Sequence, residues 1–429
     1  MDLLIKNARI IDPANKIDEV SSLLIRNNKI DKIARSIPEK GCKVIDATGL
    51  IVCPGFIDMH AHFREPGRED KESILTCSRA AARGGFTTVV GMPNTSPVAD
   101  NQTVIEFVLS KAKKDAIVNM EIVGCISKKR KGKELAEIGE LKESGAIAVT
   151  DDGSTIQEAD IMRRAFEYCK LFDMLIMSHS EEDTLSEDGV MNEGAVSTAL
   201  GLKGIPTIAE NIIIGREILL AEFTDAPIHF THVSNKGALE LIKAAKKRGV
   251  KVSCDTMPHY FSLTDEACLG YNPMAKVNPP LRTGEDVKAI KTALKDGTID
   301  AIATDHAPHT ALDKFYEFES CENGISGLET AVPLAINNLL LPKILDLKQF
   351  VSKFTINPAK ILRLDRGTLT PGKIADITIL DLEKEEIIDP EEFESKGKNT
   401  PFKGMKLQGS PVYTIVNGKI VMQNRKVVN

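Results

Sequence analysis

"GFIDMHAHFREPG", residues 55–67, is an apolar run that closes on two histidines one residue apart and then on an arginine. In an extended chain residues i and i+2 point to the same side, so His60 and His62 face one point at the end of a strand. A solvated loop has little reason to pair two imidazoles there, and a packed core has little room for Arg64.

Seven further β-prone apolar runs follow. They are "GFTTVVGMPNT" (85–95), "VNMEIVGCIS" (118–127), "GAIAVTDDG" (145–153), "MLIMSHSE" (174–181), "PIHFTHVS" (227–234), "VKVSCDTMPHY" (250–260) and "IDAIATDHAPH" (299–309). Most are separated by helix-length amphipathic segments such as "QEADIMRRAFEYCKLF" (157–172) and "NKGALELIKAAKKRG" (235–249), with apolar residues at helical spacing. Eight buried, parallel strands alternating with helices predict an α/β fold, a closed (β/α)8 TIM barrel. An open doubly wound sheet is the runner-up, but no run is followed by the GxGxxG turn it would advertise.

The ends of the chain read differently. "LLIKNARII", "SSLLIRNNKIDKIA" and "CKVIDATG" near the start, and "RGTLTPGKIADITILDL" and "PVYTIVNGKIVM" near the end, are strands broken by turn residues. "VNGK" between two β-rich runs predicts a type I′ hairpin. Neither end has enough strands for its own core. Residues 1–50 and 365–429 are therefore expected to be the two halves of a small β-sandwich domain assembled from both termini, with 51–364 as the barrel.

At 429 residues, 42% hydrophobic and 27% charged, the chain has the composition of an ordinary soluble globular protein. A net charge of -6 supplies no basic field for nucleic acid or an anionic membrane. The densest basic run, "SKKRKGK" (127–133), reads as a solvated loop, with phosphate binding as the lesser alternative. No stretch approaches the roughly 20 apolar residues of a membrane span, and "MDLLIKNARIIDPANK" is not a signal peptide. The eight scattered cysteines are expected to be reduced and buried, and the location cytoplasmic.

All eight histidines (His60, His62, His179, His229, His232, His259, His306, His309) lie at or just past the ends of these apolar runs. In a barrel the C-terminal strand ends share one face, where function sits. Any single one could be a satisfied polar residue at a strand end, but eight of eight argue for convergence. Asp58, Asp152 and Asp305 lie beside strand ends as well. Imidazoles joined by carboxylates are the ligand mix of a zinc-type site.

"DMHAH" on the first strand, single histidines on the fifth and sixth, and "ATDHAPH" on the eighth resemble the metal-dependent amidohydrolase superfamily. Within it, "HFREPG", "GMPNT", "TDDG", "KVNPPLR", "TDHAPH" and "GISGLET", in that order, resemble the dihydroorotases of the long, bacterial-type class I, over essentially the whole chain. The resemblance implies zinc-dependent, reversible cyclisation of N-carbamoyl-L-aspartate to dihydroorotate in pyrimidine synthesis. It makes His60 and His62 ligands of one zinc, with Asp305 beside it, and His179 and His232 ligands of a second, with Asp152 as the bridge. One or two zinc ions per chain are implied, two being expected. Many relatives bridge with a carboxylated lysine on the fourth strand, where this chain reads "AVTDDG". Asp152 is preferred to Asp151, which is better placed to support the turn.

The chemistry implied is attack on the cyclic amide by water activated on the metal, with Asp305 moving the proton to the leaving nitrogen. An acidic substrate needs a cation, and Arg64 offers a planar fork for its carboxylate. Asn94 and His309 would join it, and Asn278 would meet the ring amides. For Asn94 and Asn278 an Asx turn before proline or threonine is the bland alternative. Residues 310–330 form a polar segment long for a connector, as lids often are. By resemblance the backbone at Asn323 and Gly324 touches substrate there, although relatives commonly carry an Ala-Pro step where this chain has "SCENG". His259 would help line the pocket, while His229 and His306 would stand behind the ligands.

Two rivals remain at this point. Allantoinases and hydantoinases open related cyclic ureides on the same fold, usually with the lysine bridge and without the arginine after HxH. The other is an inactive homologue retained as a partner of aspartate carbamoyltransferase, against which every ligand position is filled. Association with that transferase, and a monomer or a homodimer, stay open.

Overall fold

In the computed structural model, which describes residues 2–428, the eight apolar runs form eight parallel strands. They are β1 (Phe56–Ala61), β2 (Phe86–Gly91), β3 (Asn119–Ile122), β4 (Ala148–Val149), β5 (Leu175–Ser178), β6 (Ile228–Phe230), β7 (Val252–Thr256) and β8 (Ala301–Ile302). β1 to β3 pair as one ladder and β4 to β8 as another. Two single parallel bridges close the ring, Gly124 to Val149 between β3 and β4, and Ala61 to His306 between β8 and β1. The chain is an α/β protein built on a TIM barrel.

Helices wrap the barrel because their sequences carry one apolar stripe and good ends. Ala159–Leu171 and Lys236–Lys247 fall within the two segments whose spacing predicts helix. Lys236–Lys247 buries Ala238, Leu239, Ile242 and Ala245 along one face, and the Asn235 side chain accepts from the Ala238 backbone N–H at its start. Ile74–Gly84 begins at a Ser73 capping box and stops at Gly85, whose φ of 90° suits glycine.

At the N-terminal ends of β1 and β2, Phe56 and Phe86 meet Phe350 and Phe354 of the helix Leu347–Phe354. Ring centroids lie 5.1 Å apart for Phe56 and Phe354 and 6.3 Å for Phe56 and Phe86. These rings form the apolar floor of the barrel.

The two ends of the chain build one β-rich domain, as one hydrogen-bonded sheet of nine strands. Ile51–Pro54 joins its halves. It pairs in parallel with Asp2–Asp12 through Arg9 and Ile10, and antiparallel with Ile377–Ile387. Residues 51–61 thus divide at Gly55 between the sheet and β1. A Cβ at Gly55 would lie 2.1 Å from the Thr87 hydroxyl, so only glycine lets the chain cross there. The hairpin at Val416–Lys419 has positive φ at Asn417 and Gly418, 50° and 74°, as a type I′ turn requires. No described helix is long and apolar enough to cross a membrane. All eight cysteines are unpaired, and all but the half-buried Cys42 are buried.

Candidate active site

The C-terminal strand ends converge as barrel geometry demands. β1 delivers His60 and His62, the turn after β4 delivers Asp152, and β5 and β6 lead into His179 and His232. β8 leads into Asp305. His62 Nε2 is 3.0 Å and His60 Nε2 3.5 Å from Asp305 Oδ1. Asp152 stands in the middle: its Oδ1 is 3.3 Å from His60 Nε2, 3.5 Å from His232 Nε2 and 3.9 Å from His179 Nδ1, and its Oδ2 is 3.7 Å from His62 Nε2. His179 Nδ1 and His232 Nε2 are 2.9 Å apart. One nitrogen from each of four imidazoles thus faces two carboxylates in one buried cage.

The outward nitrogens of His62 and His179 are tied down. His62 Nδ1 donates to Asn94 Oδ1 at 2.8 Å, and His179 Nε2 donates to Glu181 Oε2 at 3.2 Å. Each bond fixes the tautomer that leaves a lone pair facing the cage. Both ring nitrogens of His60 are buried with no hydrogen-bond partner. Groups of this kind cost free energy unless something else satisfies them. Orphaned imidazole nitrogens among carboxylates are the donor set that zinc takes.

The electrostatics agree. Burial pulls His60 down, but Asp152 above all, and then Asp305, outweigh it and raise its pKa to about 10. Burial would raise Asp305, yet His62 Nε2 at 3.0 Å and the neighbouring imidazoles of His60 and His232 hold it below the ordinary carboxylate range. The cage is built to hold positive charge. Arg64, His232 and Asp305 stand at positive φ, 60°, 43° and 45°. Each such residue costs on the order of 1 kcal/mol or more and persists only where its surroundings enforce it.

A cavity of about 230 Å³ opens over the cage, and every expected metal ligand and substrate-contacting residue except the wholly buried His60 lines it. Arg64 sends Nε to the Pro308 carbonyl at 3.3 Å and lies 3.3 Å from His309 Nε2. Asn278 donates to Glu181 at 2.6 Å while its own carbonyl oxygen is buried without a partner. Asn323 accepts from His309 Nε2 at 2.8 Å through its backbone oxygen. Gly324 has φ 139°, and a Cβ there would fall 2.6 Å from that of Ala307. Burial, then Arg64, Lys71 and Lys314, push the pKa of His309 far down, so the ring is neutral.

Other nominated residues stand outside the cavity. Asp151 turns away and accepts from the Ile126 and Ser127 backbone N–H groups at 2.9 and 3.0 Å and from the Ser127 hydroxyl. Asp58 accepts from Thr304 N and Oγ1 at 2.8 and 2.6 Å. His229 Nε2 meets Asp255 Oδ2 at 3.0 Å, and the other oxygen of Asp255 accepts from the His232 backbone at 2.6 Å. His306 contacts Glu72. His259 is buried against Tyr260 and is not among the residues lining the cavity.

Sequence reasoning missed Glu181 and misread Arg130. Glu181 follows His179 at the same i, i+2 spacing as the HxH pair, which is the signal that could have found it. The run 127–133 is not wholly a solvated loop. Lys129 and Arg130 adopt positive φ, 57° and 55°, and the Arg130 guanidinium turns in to the Asp152 carbonyl and lines the cavity.

A model of the amidohydrolase family matches residues 51–421. Curated proteins named dihydroorotase match nearly end to end. One from Acetivibrio thermocellus is 50% identical over 99% of both chains, and one from Citrifermentans bemidjiense is 53% identical over 99% of this chain and 100% of its own. Among solved structures, the L-hydantoinase (dihydropyrimidinase) of Arthrobacter aurescens superposes with a TM-score of 0.90 at 26% identity, covering 100% of this chain and 97% of that one. The dihydropyrimidinase of Brevibacillus agri shares the fold at 23% identity, with a TM-score of 0.87 over 100% and 96% of the two chains.

Proposed function

This chain belongs to the amidohydrolase family, and from that premise we propose that it is a zinc-dependent dihydroorotase, closing N-carbamoyl-L-aspartate to dihydroorotate and reopening the ring. The observation that carries the reading is the pairing of two unlike halves in one cavity. A cage of imidazoles and carboxylates faces Arg64, Asn94 and His309, which together suit a carboxylate. Half-identical, full-length relatives bearing that name support it.

In this reading His60 and His62, with Asp305, would hold one ion, and His179 and His232, with Asp152, would hold a second. The orphaned nitrogens of His60 and the fixed tautomers of His62 and His179 support the assignment. When bound, zinc supplies Lewis acidity to the ring carbonyl and to water.

The protein does the rest. Asp305 lines the cavity, takes a proton from the attacking water and hands it to the departing ring nitrogen; in cyclisation it takes that proton back. Acid–base help of this kind is worth about 10²–10⁴-fold. Arg64 pairs with the substrate carboxylate through its planar fork, and Asn94 and His309 add donors. Asn278 offers its unpartnered carbonyl oxygen to a ring N–H, and the bare Cα of Gly324 with the Asn323 backbone leaves room for the ring.

The test is an assay of purified protein against dihydroorotate, hydantoin and allantoin, with metal determined on the same sample. Dihydroorotate should be the preferred substrate, at least one zinc should be present per chain, and chelation should abolish turnover until zinc is restored. Preference for hydantoin or allantoin would overturn the reading. So would an active metal-free enzyme, while a zinc-filled protein inert to all three would favour an inactive homologue.

A further inference from the structure

Beside the cavity a third set of ligand-type side chains draws together: ligand atoms of His309, Asp313 and Glu322 lie within 4.8 Å of one another. The space among them already holds a cation. Lys71, only 3% exposed, reaches in from the loop after β1. Its Nζ lies 3.0 Å from His309 Nδ1, 3.2 Å from Glu322 Oε1 and 3.3 Å from Asp313 Oδ2.

An ammonium has three N–H donors and no acceptor. Two carboxylate oxygens and one imidazole nitrogen are three acceptors, so all three donors are used. Nδ1 of His309 must therefore carry the lone pair, and the ring proton sits on Nε2. That proton points to the Asn323 carbonyl at 2.8 Å. The other group beside Nε2 is the Arg64 guanidinium at 3.3 Å, itself a donor. Two neighbouring donors are complementary to a shared anionic acceptor.

We propose that Lys71 is a positioning residue that locks His309 in its neutral Nε2–H tautomer, so that His309 and Arg64 together receive the carboxylate of the substrate. The inference rests on the reading of the substrate as an acid. It adds a residue that stands outside the cavity lining and acts through His309, its ion pairs to Asp313 and Glu322 holding it in place. Lys71 sits in the charge-dense "GREDKE" stretch, which by composition resembles a solvated turn; Arg68, Glu69 and Asp70 are exposed, whereas Lys71 and Glu72 are buried.

The test uses full-length protein labelled with 15N-histidine, with His309→Asn to assign the resonance. In the wild type at neutral pH, His309 should show an unprotonated Nδ1 and a protonated Nε2. Lys71→Met should replace this pattern by a tautomer mixture, and Lys71→Arg, which keeps a donor on Nδ1, should restore it. In kinetics, Lys71→Met should raise KM for dihydroorotate roughly 10- to 100-fold, the range for a lost hydrogen bond to a charged group. kcat should change much less, because the carboxylate is held alike in ground and transition states. A wild-type His309 protonated on Nδ1 overturns the proposal, as does a folded Lys71→Met protein with unchanged KM. If the wild type fails to turn over dihydroorotate, the functional reading falls, while the tautomer measurement still decides the role of Lys71.

Discussion

The two ends of the same barrel strands obey opposite rules. At the floor, β1 and β2 begin with Phe56 and Phe86, which pack their rings with those of Phe350 and Phe354. At the other end the same strands run out into His60, His62 and Asn94, and what is buried is imidazole, carboxylate and amide. Burial stabilises the floor, since removing apolar surface from water is favourable. At the cage burial costs free energy, because desolvated carboxylates and orphaned nitrogens have given up water. Positive φ at His232 and Asp305 adds backbone strain at the same end. A few residues of strand separate a region built for stability from one held in place against it.

The largest effect should come from the cage. Asp305→Ala removes both a candidate ligand and the proton carrier, and turnover should fall by about 10³-fold or more in both directions. Because it also removes a buried charge while keeping a Cβ at the same positive φ, the melting temperature should stay within a few degrees of wild type. Activity assays paired with thermal melts check both halves. Substantial residual turnover would remove Asp305 from its role, and a collapse in stability would erase the contrast between the two ends.

The floor should show the converse. Phe354 is wholly buried and touches three other rings, so Phe354→Ala leaves a cavity costing about 3–5 kcal/mol. The denaturation midpoint should drop accordingly, while the specific activity of the folded fraction stays near wild type. A folded variant with lost turnover would mean that the floor transmits its packing to the cage.

Much of this contrast is legible in the sequence because barrel topology turns a linear pattern into a spatial one. Apolar runs ending in histidine place the floor and the cage at opposite ends before any coordinate is known. What stays hidden has a common cause: side chains whose direction depends on local backbone rather than on period. Residues 51–61 are buried on both sides of Gly55, so the handover there leaves no mark on periodicity. Arg130 and Lys71 sit in charge-dense stretches most of whose charged members are exposed. A turn at positive φ sends one inward, and burial against His309 marks the other. Asp151 and Asp152 are alike in composition, and only the pair of N–H groups at Ile126 and Ser127 separates their roles.

Asp58 lies between the two regimes and sharpens the boundary. It sits on β1 two residues before His60, and its carboxylate accepts from the Thr304 backbone at 2.8 Å and the Thr304 hydroxyl at 2.6 Å, lacing β1 to the end of β8. In Asp58→Asn the amide oxygen can keep the backbone bond, and the Thr304 hydroxyl can turn to accept from the amide nitrogen. The loss is therefore that of charge assistance, about 1 kcal/mol of stability, with turnover reduced no more than about tenfold. Asp58→Ala strands the Thr304 N–H and should cost about 2–3 kcal/mol and more activity, because the strand end carrying Asp305 then loses its tether. Denaturant midpoints and kcat measured on both variants decide the matter. If the asparagine variant lost turnover by orders of magnitude with stability unchanged, Asp58 would belong to the cage, and the boundary between the two regimes would lie one layer deeper in the barrel.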